Sequence, residues 1–163
     1  MKRLIFVLVM SMLFLVACGV DELEEFTKEF NQRALKDDVP ELVMDEFGDI
    51  EIEEVENMGW QQLYESDSYY IDAKYKDGEK LSGYHLVIDK SEPFEEFEGE
   101  GYKAGLSIIK TLGLDAGDYV RGYGTALSEG RGLYIENGYK VSFTYPGSSG
   151  ITSVGMIINF DKE

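Results

Sequence analysis

The chain has 163 residues, enough for one ordinary domain with a real core, and 44% of them are hydrophobic, which excludes wholesale disorder. It sets 32 acidic residues against 15 basic ones, a formal charge of −17. That balance excludes nucleic acid as a partner, because a phosphate backbone is held by basic residues, and it suits a cationic protein or a small ligand better.

The chain opens "MKRLIFVLVMSMLFLVAC". Lys2 and Arg3 form a short positive segment, and Leu4 to Leu15 is an apolar run of twelve residues broken only by Ser11. A membrane-spanning helix needs roughly 20 apolar residues, so the run reads as an export signal rather than an uncleaved anchor. It ends in Leu15, Val16, Ala17 and Cys18, and Cys18 is the only cysteine. A lone thiol in an exported chain calls for an explanation, and it permits no disulfide within the chain.

This "LVAC" stretch resembles the lipobox of bacterial lipoproteins, a resemblance confined to the first eighteen residues. It implies that residues 1–17 are a cleaved signal peptide, with the cut between Ala17 and Cys18. It also implies that the Cys18 sulfur carries a diacylglyceryl group with palmitate-type chains. Residues 18–21 then form a short tether and residues 22–163 one extracytoplasmic domain. Loss of Lys2 and Arg3 leaves 13 basic and 32 acidic residues, a formal charge of −19. An anionic membrane repels such a domain by about 1 kcal/mol per nearby charge, within a Debye length. Two long acyl chains, at about 0.8 kcal/mol per buried methylene, contribute on the order of 20 kcal/mol, so the lipid prevails. Gly19 stands where an Asp would resemble an inner-membrane retention signal, and Lys outnumbers Arg 11 to 4. The Lys excess and the terse "MKRL" start lean toward a low-GC Gram-positive source and the outer leaflet of its plasma membrane.

"DELEEFTKEFNQRALK" is the clearest helix: Leu23, Phe26, Phe30 and Ala34 recur at helical spacing. Asp21 and Glu24 are placed as a capping box, Arg33 and Lys36 match the dipole at the far end, and Pro40 marks the exit. "DIEIEEVE" alternates as a strand. In "SYYIDAKYKDGEKLSGYHLVID" a hairpin is expected, with Tyr69, Ile71, Ala73 and Tyr75 on one face, Tyr70, Asp72 and Lys74 on the other, and Asp77-Gly78 at the turn. "GEGYKAGLSIIKTLGL" returns to helical spacing through Tyr102, Leu106, Ile109 and Leu112. "GDYVRGYGTALSEG" fits a short helix or a loop. "LYIENGYKVSFTY" is a hairpin on Asn137-Gly138, and "VGMIINF" closes with Val154, Met156, Ile158 and Phe160 on one face. Helices alternating with hairpin-joined strands give an α+β class, an antiparallel sheet with helices packed on one face. The same order leaves room for two helix-plus-strands halves.

No motif assigns a catalytic residue, a metal ligand or a cofactor. "GEGYKA" (Gly99, Gly101, Ala104) lacks the buried strand that a dinucleotide loop requires, and acids precede it. His85 is the only histidine, so no zinc set can be assembled around it; it reads as a residue on a strand face, although a triad is recognised by geometry rather than by sequence. The acidic runs, Glu41 to Glu56 and Glu92 to Glu100, lack the spacing of a calcium loop and read as solvated surface. Eleven tyrosines suit strands, and some suit a binding face. The expected function is therefore a non-enzymatic binding or interaction domain tethered to the membrane through Cys18. The alternatives are an extracytoplasmic hydrolase with a noncontiguous carboxylate site and a weak calcium binder.

Overall fold

The computed structural model describes residues 17–53, 57–77, 80–94, 97–146 and 154–163, with side chains from Asp21 onward, those of Glu53 and Val154 excepted. The apolar run with Leu15 and Val16, Glu54 and Glu56 of the first acidic run, Gly78 of the first turn, and Glu95 and Glu96 lie outside these residues. The chain runs α1 (Ala17–Asp37), a 3-10 turn (Met44–Glu46), β1 (Glu51–Glu53), β2 (Met58–Glu65), β3 (Tyr69–Lys76), β4 (Lys80–Asp89), α2 (Glu100–Thr111), α3 (Ala116–Glu129), β5 (Arg131–Glu136), β6 (Tyr139–Thr144) and β7 (Val154–Lys162).

The strands form one antiparallel seven-stranded sheet in the order β1-β2-β3-β4-β7-β6-β5. This is the expected α+β architecture. Two meanders, one ending in β4 and one ending in β7, meet along the seam where these last strands pair. Each meander follows its own helix or helix pair, so the two halves meet at the centre of the sheet.

All three helices pack against one face. Leu23, Phe26, Phe30 and Ala34 of α1 are buried with Tyr102, Ala104, Ile108 and Ile109 of α2 and Tyr119, Tyr123 and Ala126 of α3. They meet the inner positions of the strands: Tyr69, Ile71, Ala73 and Tyr75 on β3, Tyr84, Leu86 and Ile88 on β4, and Met156, Ile158 and Phe160 on β7. Phe26 stacks on Tyr84 with ring centroids 3.9 Å apart. Leu106 and Leu112 are half-buried against this core, as the helical spacing of α2 requires.

One expectation fails at the start of α1. The helix runs back through Ala17, so Asp21 lies inside it rather than at its N-cap, and the backbone of residues 18–21 is helical. Nothing between Cys18 and Asp21 forbids helix, since a single Gly19 costs only about 1 kcal/mol. At its other end, Asp38 takes a left-handed φ of 57° and Val39 N–H closes on the Ala34 carbonyl at 3.0 Å, before Pro40. Asn31 then exchanges two hydrogen bonds with the Leu42 backbone, 2.8 and 2.7 Å, which turns the chain toward the sheet. Asp37 accepts from Lys110 Nζ at 2.7 Å and from Ser107 Oγ at 3.2 Å, tying α1 to α2.

The segment that read as helix or loop is α3, capped by the Asp115 side chain accepting from Asp118 N–H at 3.0 Å. Its glycines serve close packing. A Cβ on Gly122 would stand 2.5 Å from the Phe143 ring. The Asn137-Gly138 turn has φ of 48° and 77°, as a type I′ hairpin needs. Ile50 and Ile52 alternate with acids as expected but stay exposed, because the helices do not reach that edge of the sheet. No helix among the described residues is long and apolar enough to cross a membrane.

Candidate functional site

Helices on one side leave the other side of the sheet open, and strand pleating sends alternate side chains there. With Ile71, Ala73 and Tyr75 pointing inward, Tyr70, Asp72 and Lys74 point outward, as the alternation requires. The register aligns them with outward residues from neighbouring strands. One row runs Gln62, Asp72, His85, Asn159 and Ser142 across β2, β3, β4, β7 and β6. A second runs Trp60, Lys74, Gly83, Asp161 and Lys140 across the same strands. The open face therefore carries a band of polar and aromatic side chains.

These side chains touch. His85 Nδ1 lies 3.4 Å from Asp72 Oδ2, and the two side chains are only 16% and 15% exposed. The His85 ring meets Trp60 edge-on at 5.2 Å and Tyr70 at 6.0 Å. Lys74, 8% exposed, pairs with Asp161, donates to Asn159 Oδ1 at 3.4 Å, and sits 5.4 Å from the centre of the Trp60 ring. Its side chain passes over β4 where Gly83 has none. Gly83 has φ 154°, and a Cβ there would come within 2.1 Å of the Phe160 carbonyl oxygen.

At the β1 end the band opens into a groove of about 310 Å³, lined by Gly48, Asp49, Glu51, Trp60, Gln62, Glu65, Tyr70 and Asp72. One wall is pinned to β2: Gly48 N–H donates to the Gln62 carbonyl at 2.9 Å, and Gln61 Nε2 donates to the Gly48 carbonyl at 3.0 Å. Gln61 is itself held by Tyr75 Oη at 2.7 Å. The lining carries four carboxylates and no base. Trp60 Nε1 is shielded from solvent and has no hydrogen-bond partner among the described residues.

Other depressions are less specific. One along α1 has alternating carboxylates and cations from a single helix, Glu25, Lys28, Glu29, Arg33 and Lys36, which neutralise one another. Another, between α1, α2 and β7, carries Glu22, Glu25 and Glu29, with Lys162 paired to Glu22.

The residues singled out from the sequence fall as follows. His85 stands on a strand face as expected, with Asp72 as its hydrogen-bond partner and no serine hydroxyl bonded to it among the described residues. The "GEGYKA" glycines serve packing. A Cβ on Gly99 would meet the Glu92 carboxylate at 1.9 Å, and one on Gly101 would meet Ile88 at 2.6 Å. Glu92 Oε2 already accepts from Gly101 N–H at the start of α2, 3.4 Å, where a phosphate would have to sit. Among the described residues, no three acidic, histidine or cysteine side chains converge as a metal site would require. Cys18 lies in the first turn of α1 by its backbone, and its side chain is outside the described set.

Sequence reasoning missed Trp60 and with it the groove. The available signals were that Trp60 is the only tryptophan and that Trp60 and Gln62 alternate on one strand. No family model, curated protein or solved structure matches the chain.

Proposed function

We propose that this protein is a lipid-anchored, non-enzymatic binding domain, held through Cys18 at the extracytoplasmic face of a Gram-positive plasma membrane, with the open sheet face as its binding surface. The anchor rests on the complete "LVAC" pattern behind a short apolar run. The binding surface rests on one observation: the sheet face opposite the helices carries interlocked aromatic and polar side chains around a groove, where a merely solvated face would carry separate charged ones. Tyr70 and Trp60 offer rings for packing, and Gln62, Asp72, His85 and Asn159 offer hydrogen bonds. Because α1 begins at the anchor and docks directly onto the core, the domain stands close to the membrane.

The groove also gathers Asp49, Glu51, Glu65 and Asp72 from distant parts of the chain, which favours a carboxylate hydrolase as a second reading. Asp49, Glu51 and Glu65 are exposed to water, whereas a general acid active at neutral pH is placed in a desolvated pocket. Binding is therefore the better account of this geometry.

The test is photo-crosslinking on intact cells. A photoreactive residue at Gln62, on the open face, is compared with one at Lys28, on the helical side. Binding through the sheet face gives a discrete crosslinked species from position 62 that is absent from position 28. Equal or absent crosslinking from both positions contradicts it, and turnover of a substrate that vanishes in Glu65→Gln replaces binding with hydrolysis.

A further inference from the structure

Strand β5 closes the sheet at one margin, and among the described residues only β6 pairs with it. From the pattern of this edge we infer that β5 pairs antiparallel with β5 of a second copy of this chain, about a two-fold axis that passes through the sheet at Leu133, normal to its plane.

The hydrogen-bond phase of the strand is fixed where it begins. Arg131 stands opposite Thr144, and one step back Tyr145 N–H donates to the Gly130 carbonyl at 2.9 Å. Alternation then turns the backbone groups of Gly132, Tyr134 and Glu136 toward β6, and those of Arg131, Leu133 and Ile135 toward the free edge. The same three residues send their side chains to the open face, since Leu133 stands opposite Ser142 and Ile135 opposite Lys140 in the two rows described above. Leu133 and Ile135 are each 60% exposed. Sheet edges are ordinarily blunted by a proline, a bulge or a charge in mid-strand. None of these occurs in β5, whose register with β6 is unbroken from Arg131 to Glu136.

Self-pairing uses this edge completely. With Leu133 opposite Leu133 of the second copy, each Arg131 falls opposite an Ile135. Every outward N–H and C=O of the three residues then meets its complement. Leu133 packs on its own copy, and the Arg131 stem covers Ile135. Charge favours this margin as well. Copies of formal charge −17 repel each other, but Arg131–Thr144 sets Arg131 and Lys140 against Glu136 alone. At the opposite margin β1 has three residues, two of them acids, so its self-pairing would bring acid against acid.

The symmetry selects a second copy over a foreign strand. An axis normal to the sheet leaves both helical layers, and so both α1 helices, on one side. On the anchoring proposed above, both Cys18 residues then reach one membrane, with the helices beneath and the two open faces joined and turned outward. Copies held on one membrane also meet at a raised effective concentration.

Cysteine pairs read the register directly. Leu133 and its copy would have Cα atoms about 5.5 Å apart, within the roughly 4.4–6.8 Å that a disulfide spans. Ile135 and its copy would be on the order of 14 Å apart. The full-length protein in membranes is oxidised with copper phenanthroline, with the wild type, whose Cys18 is the only other thiol, as the blank. Leu133→Cys should give a disulfide dimer, Ile135→Cys alone none, and Ile135→Cys with Arg131→Cys a dimer again. Independently, the wild type in detergent micelles should have the mass of two copies. Leu133→Lys, at an exposed position, sets two ammonium groups face to face and should weaken association about tenfold or more, whereas Ile52→Lys at the far margin should leave it unchanged. A monomeric wild type would overturn the pairing. So would dimers from Ile135→Cys as readily as from Leu133→Cys, an adduct of Leu133→Cys with a different chain, or a ladder beyond the dimer, which marks a head-to-tail contact. A wild-type dimer without fatty-acid label keeps the pairing and removes the anchor, and a labelled monomer does the reverse.

Discussion

Asp72 on β3 and His85 on β4 stand directly opposite each other in the sheet register, and their side chains approach to 3.4 Å on the face the helices leave open. A cross-strand pair of this kind contributes roughly 0.2–1 kcal/mol. A double-mutant cycle on Asp72→Ala and His85→Ala, read by urea denaturation, should therefore give a coupling below about 1 kcal/mol. A coupling of several kcal/mol would make the pair a structural keystone and remove it from the binding surface.

Gly83 lets Lys74 cross β4 to Asp161. Gly83→Ala places a methyl group against the Phe160 backbone oxygen at a φ of 154° that L side chains rarely adopt, so overpacking and backbone strain together should cost about 3 kcal/mol in urea denaturation. Gly113→Ala has nothing within 4 Å of the new methyl group, and its φ of 69° alone should cost about 1 kcal/mol. Equal losses at the two positions would contradict the close approach of β4 and β7.

Phe30 is completely buried between α1 and the sheet. Phe30→Ala should lower stability by about 3–5 kcal/mol in the same assay. A loss below about 1 kcal/mol would mean that α1 does not dock, and the domain would then hang from a free helix instead of standing at the membrane.

Burial raises the ionisation of Tyr119, Tyr84 and Tyr123 above the ordinary tyrosine value of 10.0, with neighbouring tyrosines and acids adding to the effect. The direction is fixed by where the protons leave first. Below pH 10 these tyrosines are neutral in both states, and the stability they contribute is fully present. Above pH 10 the unfolded chain loses protons that the folded chain retains, so stability falls as pH rises, by roughly 4 kcal/mol per pH unit for three such groups. Absorbance at 295 nm should show tyrosinate from these residues only together with the loss of circular dichroism above pH 10. Non-cooperative titration of all eleven tyrosines near pH 10 would contradict their burial.

Much of the fold was legible because local chemistry and tertiary need agreed. The β3–β4 hairpin showed itself by the alternation of Tyr69, Ile71, Ala73 and Tyr75, and the β5–β6 hairpin by Asn137-Gly138. The second strand was hidden, because its inward positions carry Gly59 and Gln61 rather than apolar residues. Gln61 faces the core only because Tyr75 and the Gly48 carbonyl bind it, and a bulge at Leu63 then breaks the alternation. The glycines of α3 argued locally against helix, yet Gly122 is required by the Phe143 ring, and Gly132 on β5 is required in turn by the Gly122 carbonyl oxygen, from which its Cβ would stand 2.2 Å. The groove could not be read at all. Trp60, Asp72 and His85 meet only through the register of three strands, and Asp49 joins them through a backbone bond from Gly48. Register across non-adjacent segments leaves no mark in a single sequence.

The functional account stands on Cys18, because a binding face at the cell surface requires the chain to be exported and held there. Cells fed a labelled fatty acid, followed by detergent phase partition, test this most directly. The account requires lipid label on the wild-type protein, recovery in the detergent phase, and loss of label in Cys18→Ser with the circular dichroism of a folded α+β domain retained. A wild-type chain that carries no lipid and partitions into the aqueous phase would contradict the anchor and the location built on it.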